Sequence, residues 1–170
     1  ETLATRGRLP LNPLLRRTLQ FDGGNDSVTI GTGADWDSLI GDAGADAKAF
    51  SISMWIRPTT MGDSYPYLFS FGSNRRALIA YGASWPQKLR FYCRGTSGVA
   101  HAETAAAAIV ADTWQHVVVT YEGGASGAMK IYVNGTQSGA TGTAGSDIED
   151  IPSGEAARIG CFYNNTSAVY

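Results

Sequence analysis

The stretch LQFDGGNDSVTIG (residues 19–31) sets Asp22, Gly23, Asn25 and Asp26 around a glycine pair, with apolar runs on both sides. Calcium takes about six to eight oxygen ligands from carboxylates, amides and backbone carbonyls. Asp22, the Gly23 carbonyl, Asn25 and Asp26 can supply several of them from one tight turn. The competing reading is an Asx-rich turn whose side chains bond their own backbone. Asn25 also opens an N-x-S/T sequon, as do Asn134, Asn164 and Asn165. Turn chemistry already accounts for Asn25 and Asn134, so glycosylation ranks last among the readings.

A second group of residues suits sugar recognition, which needs exposed aromatic faces beside amides or hydroxyls. Trp85 in YGASWPQ, Tyr65 and Tyr67 in DSYPY, and Tyr163 with Asn164 in FYNNT fall in loops or at strand ends. Trp36 in GADWDSL, between Asp35 and Asp37, is a further candidate. For each of them the alternative is a loop aromatic that plugs the core. Trp55 and Trp114 fall inside strands and are expected to serve as core or sheet-face packing.

Hydrolytic chemistry finds little to work with. The densest acidic stretch, SDIEDIPSGE, offers Asp147, Glu149, Asp150 and Glu155, but Pro152 and Gly154 break any strand that would aim them at one bond. His101 and His116 are the only histidines, and His116 in WQHVVVTY is expected to be a satisfied core residue rather than a base. No phosphate-binding loop and no zinc spacing is present. The chain is expected not to be an enzyme.

These residues must be held by strands. From Thr18 onward the pattern has a period of two: TLQFD, SVTIG, AFSISMWIR (49–57), YPYLFSFGS (65–73), RALIAYG (76–82), QKLRFYCRG (87–95), WQHVVVTYEGG (114–124), AMKIYV and AARIGCFY (156–163). Asn134-Gly135 between alternating runs marks a hairpin, since both turn positions want positive φ. Helical patterns are scarce, and AETAAAAIVA (102–111) fits a loop or edge strand. Many short antiparallel strands with frequent turns predict an all-β, two-sheet sandwich.

Residues 1–17 differ: two prolines, four arginines and no strand period suggest an extended arm or linker that docks on a neighbour, or a disordered leader. The absence of an initial Met suggests processing or excision from a longer chain. At 170 residues one domain can bury its own core, and the net charge of −2 gives no reason to expect nucleic acid or an anionic membrane as partner. No apolar run is long enough to span a bilayer. Cys93 and Cys161 each close an inward-facing alternation, as two buried thiols or as one disulfide between neighbouring strands.

The order LQFDGGNDSVTIG, FSISMWIRP, YLFSFG, LRFYC, WQHVVVTYEGG, MKIYVNGTQSG, RIGCF resembles the laminin-G-like domains of the concanavalin A-like jelly-roll superfamily over residues 18–170. The resemblance implies a jelly roll with glycan-binding, adhesive or accessory roles on secreted or surface proteins. It implies a calcium ion at the opening turn, which in similar modules takes a further acidic ligand from a final strand. The pattern normally closes with that strand, beside the first, and NNTSAVY stops where it should begin; the closing strand is expected to be missing. Two functions follow as expectations. One is recognition of a glycan or protein ligand at a cell or particle surface, with calcium as the candidate cofactor. The other is a structural part in a surface assembly, such as a virion decoration or fibre, whose arm and open edge contact neighbouring subunits.

Overall fold

Alternation of apolar and polar residues dictates a sandwich, and the computed structural model realises one. It describes residues 18–22, 24–40, 48–59, 67–72, 77–82, 87–95, 97–146, 148–149, 153–163 and 168–169, with the backbone alone for 37–39, 77–78, 80–82, 162–163 and 168–169. The proposed arm (residues 1–17), Gly23, Tyr65, Trp85 and Asn164 lie outside the described residues, as does the side chain of Tyr163.

The elements run β1 (Val28–Thr32), α1 (Gly33–Ile40), β2 (Phe50–Ile56), β3 (Tyr67–Phe71), β4 (Ala77–Gly82), β5 (Lys88–Gly95), β6 (Gly98–Glu103), β7 (Gln115–Tyr121), β8 (Ala128–Val133), β9 (Thr136–Gln137), β10 (Gly142–Thr143), β11 (Ala156–Ile159), β12 (Phe162–Tyr163) and β13 (Ala168–Val169). One sheet has the order β1-β11-β3-β4-β5-β6 and the other β10-β8-β7-β2, with β9 on β8; β12 and β13 form a separate hairpin. The ladders among the described residues are all antiparallel, including β2 on β7 and β7 on β8. The two-sheet expectation holds, and among the described residues β1 and β2 are edge strands.

The core lies where the two inner faces meet. β7 buries Val117, Val119 and Tyr121 on alternate positions, and β5 buries Leu89, Phe91 and Cys93 against them. Phe50 joins the layers: its ring lies edge-on to Phe71 at 6.3 Å and to Phe91 at 6.1 Å, and tilted to Tyr121 at 5.5 Å. Edge-to-face pairs of this kind add about 0.5–1.5 kcal/mol each beyond the area they bury. Cys93 and Cys161 are free, buried thiols, and burial pushes the Cys93 thiol well up.

Two local expectations need correction. TLQFD is not a strand, because residues 18–22 have no ladder partner. GADWDSL is helical: Thr32 caps α1, and the Asp35 carboxylate reaches back to accept the Thr32 N–H at 2.8 Å and its hydroxyl at 2.9 Å. These bonds lower the Asp35 pKa, and the T-x-x-D spacing of a capping box was present in the sequence. AETAAAAIVA is loop and edge strand as expected: it divides into the end of edge strand β6 and a turn segment that plugs Ile109 fully into the core. The Asn134-Gly135 hairpin turn is as expected, with φ of 50° and 83°.

Along one margin the sheets press together without side chains between them. A Cβ on Gly139 would stand 1.9 Å from the Glu103 carbonyl oxygen, and one on Gly142 would stand 2.6 Å from that of His101. Glycine is needed at both positions for β6 and the β9–β10 segment to approach this closely.

Candidate functional site

The opening turn folds onto itself. Asp22 accepts the Gly24 N–H at 2.7 Å, and Asp26 accepts the Asp22 N–H at 2.9 Å. One oxygen of each carboxylate is thus engaged with backbone, in the manner of an Asx turn. No group of three or more His, Cys, Asp or Glu side chains among the described residues could hold a metal. The donor set seen here is incomplete for calcium, which needs more oxygens than two half-engaged carboxylates supply.

The aromatic candidates scatter. Trp36 lies in α1, packs against the core and sets its ring 5.3 Å from Phe71, so it plugs the sandwich rather than offering a face to a ligand. Its Nε1, held over Gly31, is buried without a hydrogen-bond partner among the described residues. Tyr67 opens β3, half-buried, in the six-stranded sheet. The described candidates therefore do not converge on one site.

A different constellation does converge. In β2 the outward row is Ser51, Ser53 and Trp55, continued by exposed Arg57, while Phe50 and Ile56 point inward. Register places Trp55 opposite His116 of β7. Their ring centroids are 5.2 Å apart with 33° between planes, and Ser53 Oγ lies 2.7 Å from His116 Nε2. Which of that pair donates depends on the imidazole tautomer. Trp55 is 64% exposed and Trp114 is 42% exposed, two places before His116 on the same outward alternation. His116 is thus not in the core, as expected from sequence, but on the solvent face of the sheet. Trp55 and Trp114, expected as core or sheet-face packing, are both exposed, and Trp55 packs on His116 on the sheet face.

The surrounding backbone fixes this face. The Asn134 side chain accepts the His116 N–H at 2.9 Å, and the Asn134 N–H donates to the His116 carbonyl at 2.8 Å. Gln115, buried beneath, accepts from Val110 N–H at 2.7 Å and donates to the Ala108 carbonyl at 2.9 Å, holding the turn that leads into Trp114. Arg57 donates from Nε to the Asp112 carbonyl at 3.1 Å, and its Nη2 lies 3.6 Å from the Asp112 carboxylate. The assembled surface offers two indoles, an imidazole, a hydroxyl and a guanidinium. Its signal in the sequence was the alternation of AFSISMWIR, which already placed Trp55 with the serines and Arg57, opposite the apolar row.

The outer face of the six-stranded sheet is different in kind. Glu103 accepts from Lys88 Nζ at 2.5 Å and from Arg90 Nε at 2.8 Å, which holds its carboxyl below the usual range, the Lys88 bond contributing most. Arg94 pairs with Glu149 at 3.1 Å. These side chains satisfy one another.

The family described as the concanavalin A-like lectin/glucanases superfamily matches residues 22–169. The chain belongs to that family. No curated protein matches it. Among solved structures, the CBM40 domain of the Ruminococcus gnavus IT-sialidase, bound to α2,3-sialyllactose, is similar at a TM-score of 0.59 and 14% identity, over 86% of this chain and 83% of that one. Botulinum neurotoxin type C, whose passage into cells depends on interaction with two ganglioside molecules, is similar at a TM-score of 0.54 and 19% identity. The match covers 83% of this superfamily member and 32% of the neurotoxin chain. At these identities the likeness establishes the shared fold.

Proposed function

We propose that this jelly roll is a non-enzymatic glycan-recognition module, holding a sugar ring on the outward face of its five-stranded sheet. The observation that carries the reading is Trp55, 64% exposed beside the hydrogen-bonded Ser53–His116 pair. The C–H face of a pyranose suits an indole, and its hydroxyls suit an imidazole and a serine. The sialyllactose complex of the CBM40 domain and the ganglioside dependence of the neurotoxin support glycans as the ligand class.

Binding rather than hydrolysis is the reading that the groups on this face support. Ser53 and His116 are close enough for proton transfer, but no carboxylate among the described residues bonds the imidazole. The β2 and β7 amides that point toward each other are spent in their ladder, leaving no paired donors for an oxyanion. The module works outside the cell, on a cell or particle surface where glycans are displayed. Calcium at Asp22 and Asp26 is a secondary element of the proposal, and an unchanged melting temperature on adding chelator would remove it.

Titration calorimetry against a panel of neutral and acidic oligosaccharides tests the main reading. Binding by the parent chain and loss of binding in Trp55→Ala support it; binding indifferent to that change rejects it. A second reading, as part of a surface assembly, is favoured by β2, a seven-residue strand paired on one side only among the described residues. Light scattering that finds a monomer at working concentration eliminates it.

A further inference from the structure

We infer that the Trp55 platform selects acidic sugars, with the Arg57 guanidinium taking the sugar carboxylate. The inference rests on the reading of this face as a sugar site. Arg57 follows Trp55 by two positions on the outward row, a step of about 7 Å along an extended strand. That is the scale of one pyranose ring with its exocyclic group. Arg57 lies just past the last β2–β7 pair, Ile56↔Gln115, where the Asp112 N–H donates to the Pro58 carbonyl and the guanidinium turns to Asp112.

The guanidinium is held by one edge and offers the other. Nε is bonded to the Asp112 carbonyl, and Nη2 lies 3.6 Å from the Asp112 carboxylate, whose side chain is 64% exposed. Nη1 has no partner among the described residues. A carboxylate approaching from solvent can bridge Nη1 and Nη2 in the forked geometry that arginine favours. Asp112 is the one acidic side chain paired with Arg57 among the described residues, and an exposed pair at that separation contributes little, so it yields readily to a second, better-aligned carboxylate. Lys130, a second cation on the outward face of this sheet, is engaged by Glu122 at 2.7 Å. The bond to Arg57 Nε keeps the side chain in position before a ligand arrives, which lowers the ordering cost of binding.

Calorimetry with matched pairs tests the inference: lactose against 3′-sialyllactose, and digalactose against digalacturonate. The parent chain is expected to bind the acidic member of at least one pair about tenfold or more tighter, the scale of a charged hydrogen bond. Arg57→Gln should bring the acidic member down to the affinity of its neutral partner. Trp55→Ala should abolish both. Equal binding of both members, or a preference that survives Arg57→Gln, overturns the acidic-sugar assignment while leaving the platform standing. Binding that survives Trp55→Ala, or no binding to any of the four sugars, overturns the platform as well. A thermal melt of Arg57→Gln coincident with the parent excludes misfolding as the cause of a loss.

Discussion

Trp55 and His116 face each other across the β2–β7 ladder on its solvent side, ring centroids 5.2 Å apart. Neither ring contributes to the core, so their removal should separate recognition from folding. Trp55→Ala should leave stability within about 0.5 kcal/mol by urea titration, as exposed positions do. His116→Ala and Ser53→Ala should each weaken glycan binding, and the double variant should cost no more than the worse single one, because the pair acts as one hydrogen-bonded unit. Calorimetry on the four proteins measures the coupling.

Phe50 is the opposite case. It touches Phe71, Phe91 and Tyr121, which come from both sheets. Phe50→Ala should destabilise the domain by about 3–5 kcal/mol, read as a lower urea midpoint. Any fraction that stays folded should bind glycan normally, since the outward row of β2 is untouched.

Much of this frame was legible in the sequence. The alternation in AFSISMWIR already separated the apolar row of β2 from Ser51, Ser53, Trp55 and Arg57. WQHVVVTY was legible as a strand, though not with His116 on its solvent face, and Asn134-Gly135 marked a hairpin. What escaped were features set by tertiary neighbours. Whether Trp55 or Trp36 is the exposed indole depends on what lies above each face, and no local pattern carries that. Trp36 is covered because α1 folds onto Phe71, and the helix itself went unseen because its eight residues are too few for a strong period. The Ser53–His116 bond joins residues 63 positions apart, beyond the reach of any spacing rule.

The glycine margin gives a sharper contrast. Gly135 and Gly139 both have φ of +83°, but a Cβ at Gly135 meets nothing within 4 Å whereas one at Gly139 meets the Glu103 carbonyl. Gly135→Ala should therefore cost only the backbone penalty of about 1–2 kcal/mol. Gly139→Ala should cost about 1–3 kcal/mol more, because two backbones must move apart. Chemical denaturation of the two variants side by side reads the difference.

Acid should loosen the other sheet. The Glu103 carboxyl is held below its usual range in the folded chain, chiefly by Lys88. A depressed folded pKa stabilises fully above the unfolded value, about 4.3 for glutamate, and the contribution disappears as pH falls through the folded value. Melting temperatures from pH 7 down to pH 3 should show Glu103→Gln less stable at neutral pH by about 1 kcal/mol or less. The two curves should converge at the acid end.

The outward and inward rows of β2 are interleaved along seven residues, Phe50 and Ile56 serving the interior while Ser51, Ser53 and Trp55 meet the solvent. Every second letter of this segment is therefore answerable to a different selection pressure. Changes in the even register are judged by whether the protein exists, and changes in the odd register by what it recognises. Under the proposed function, a lineage can rewrite its ligand preference one odd position at a time without passing through an unfolded intermediate. That gives a physical route by which chains of 14% and 19% identity can retain one architecture while their exposed surfaces diverge.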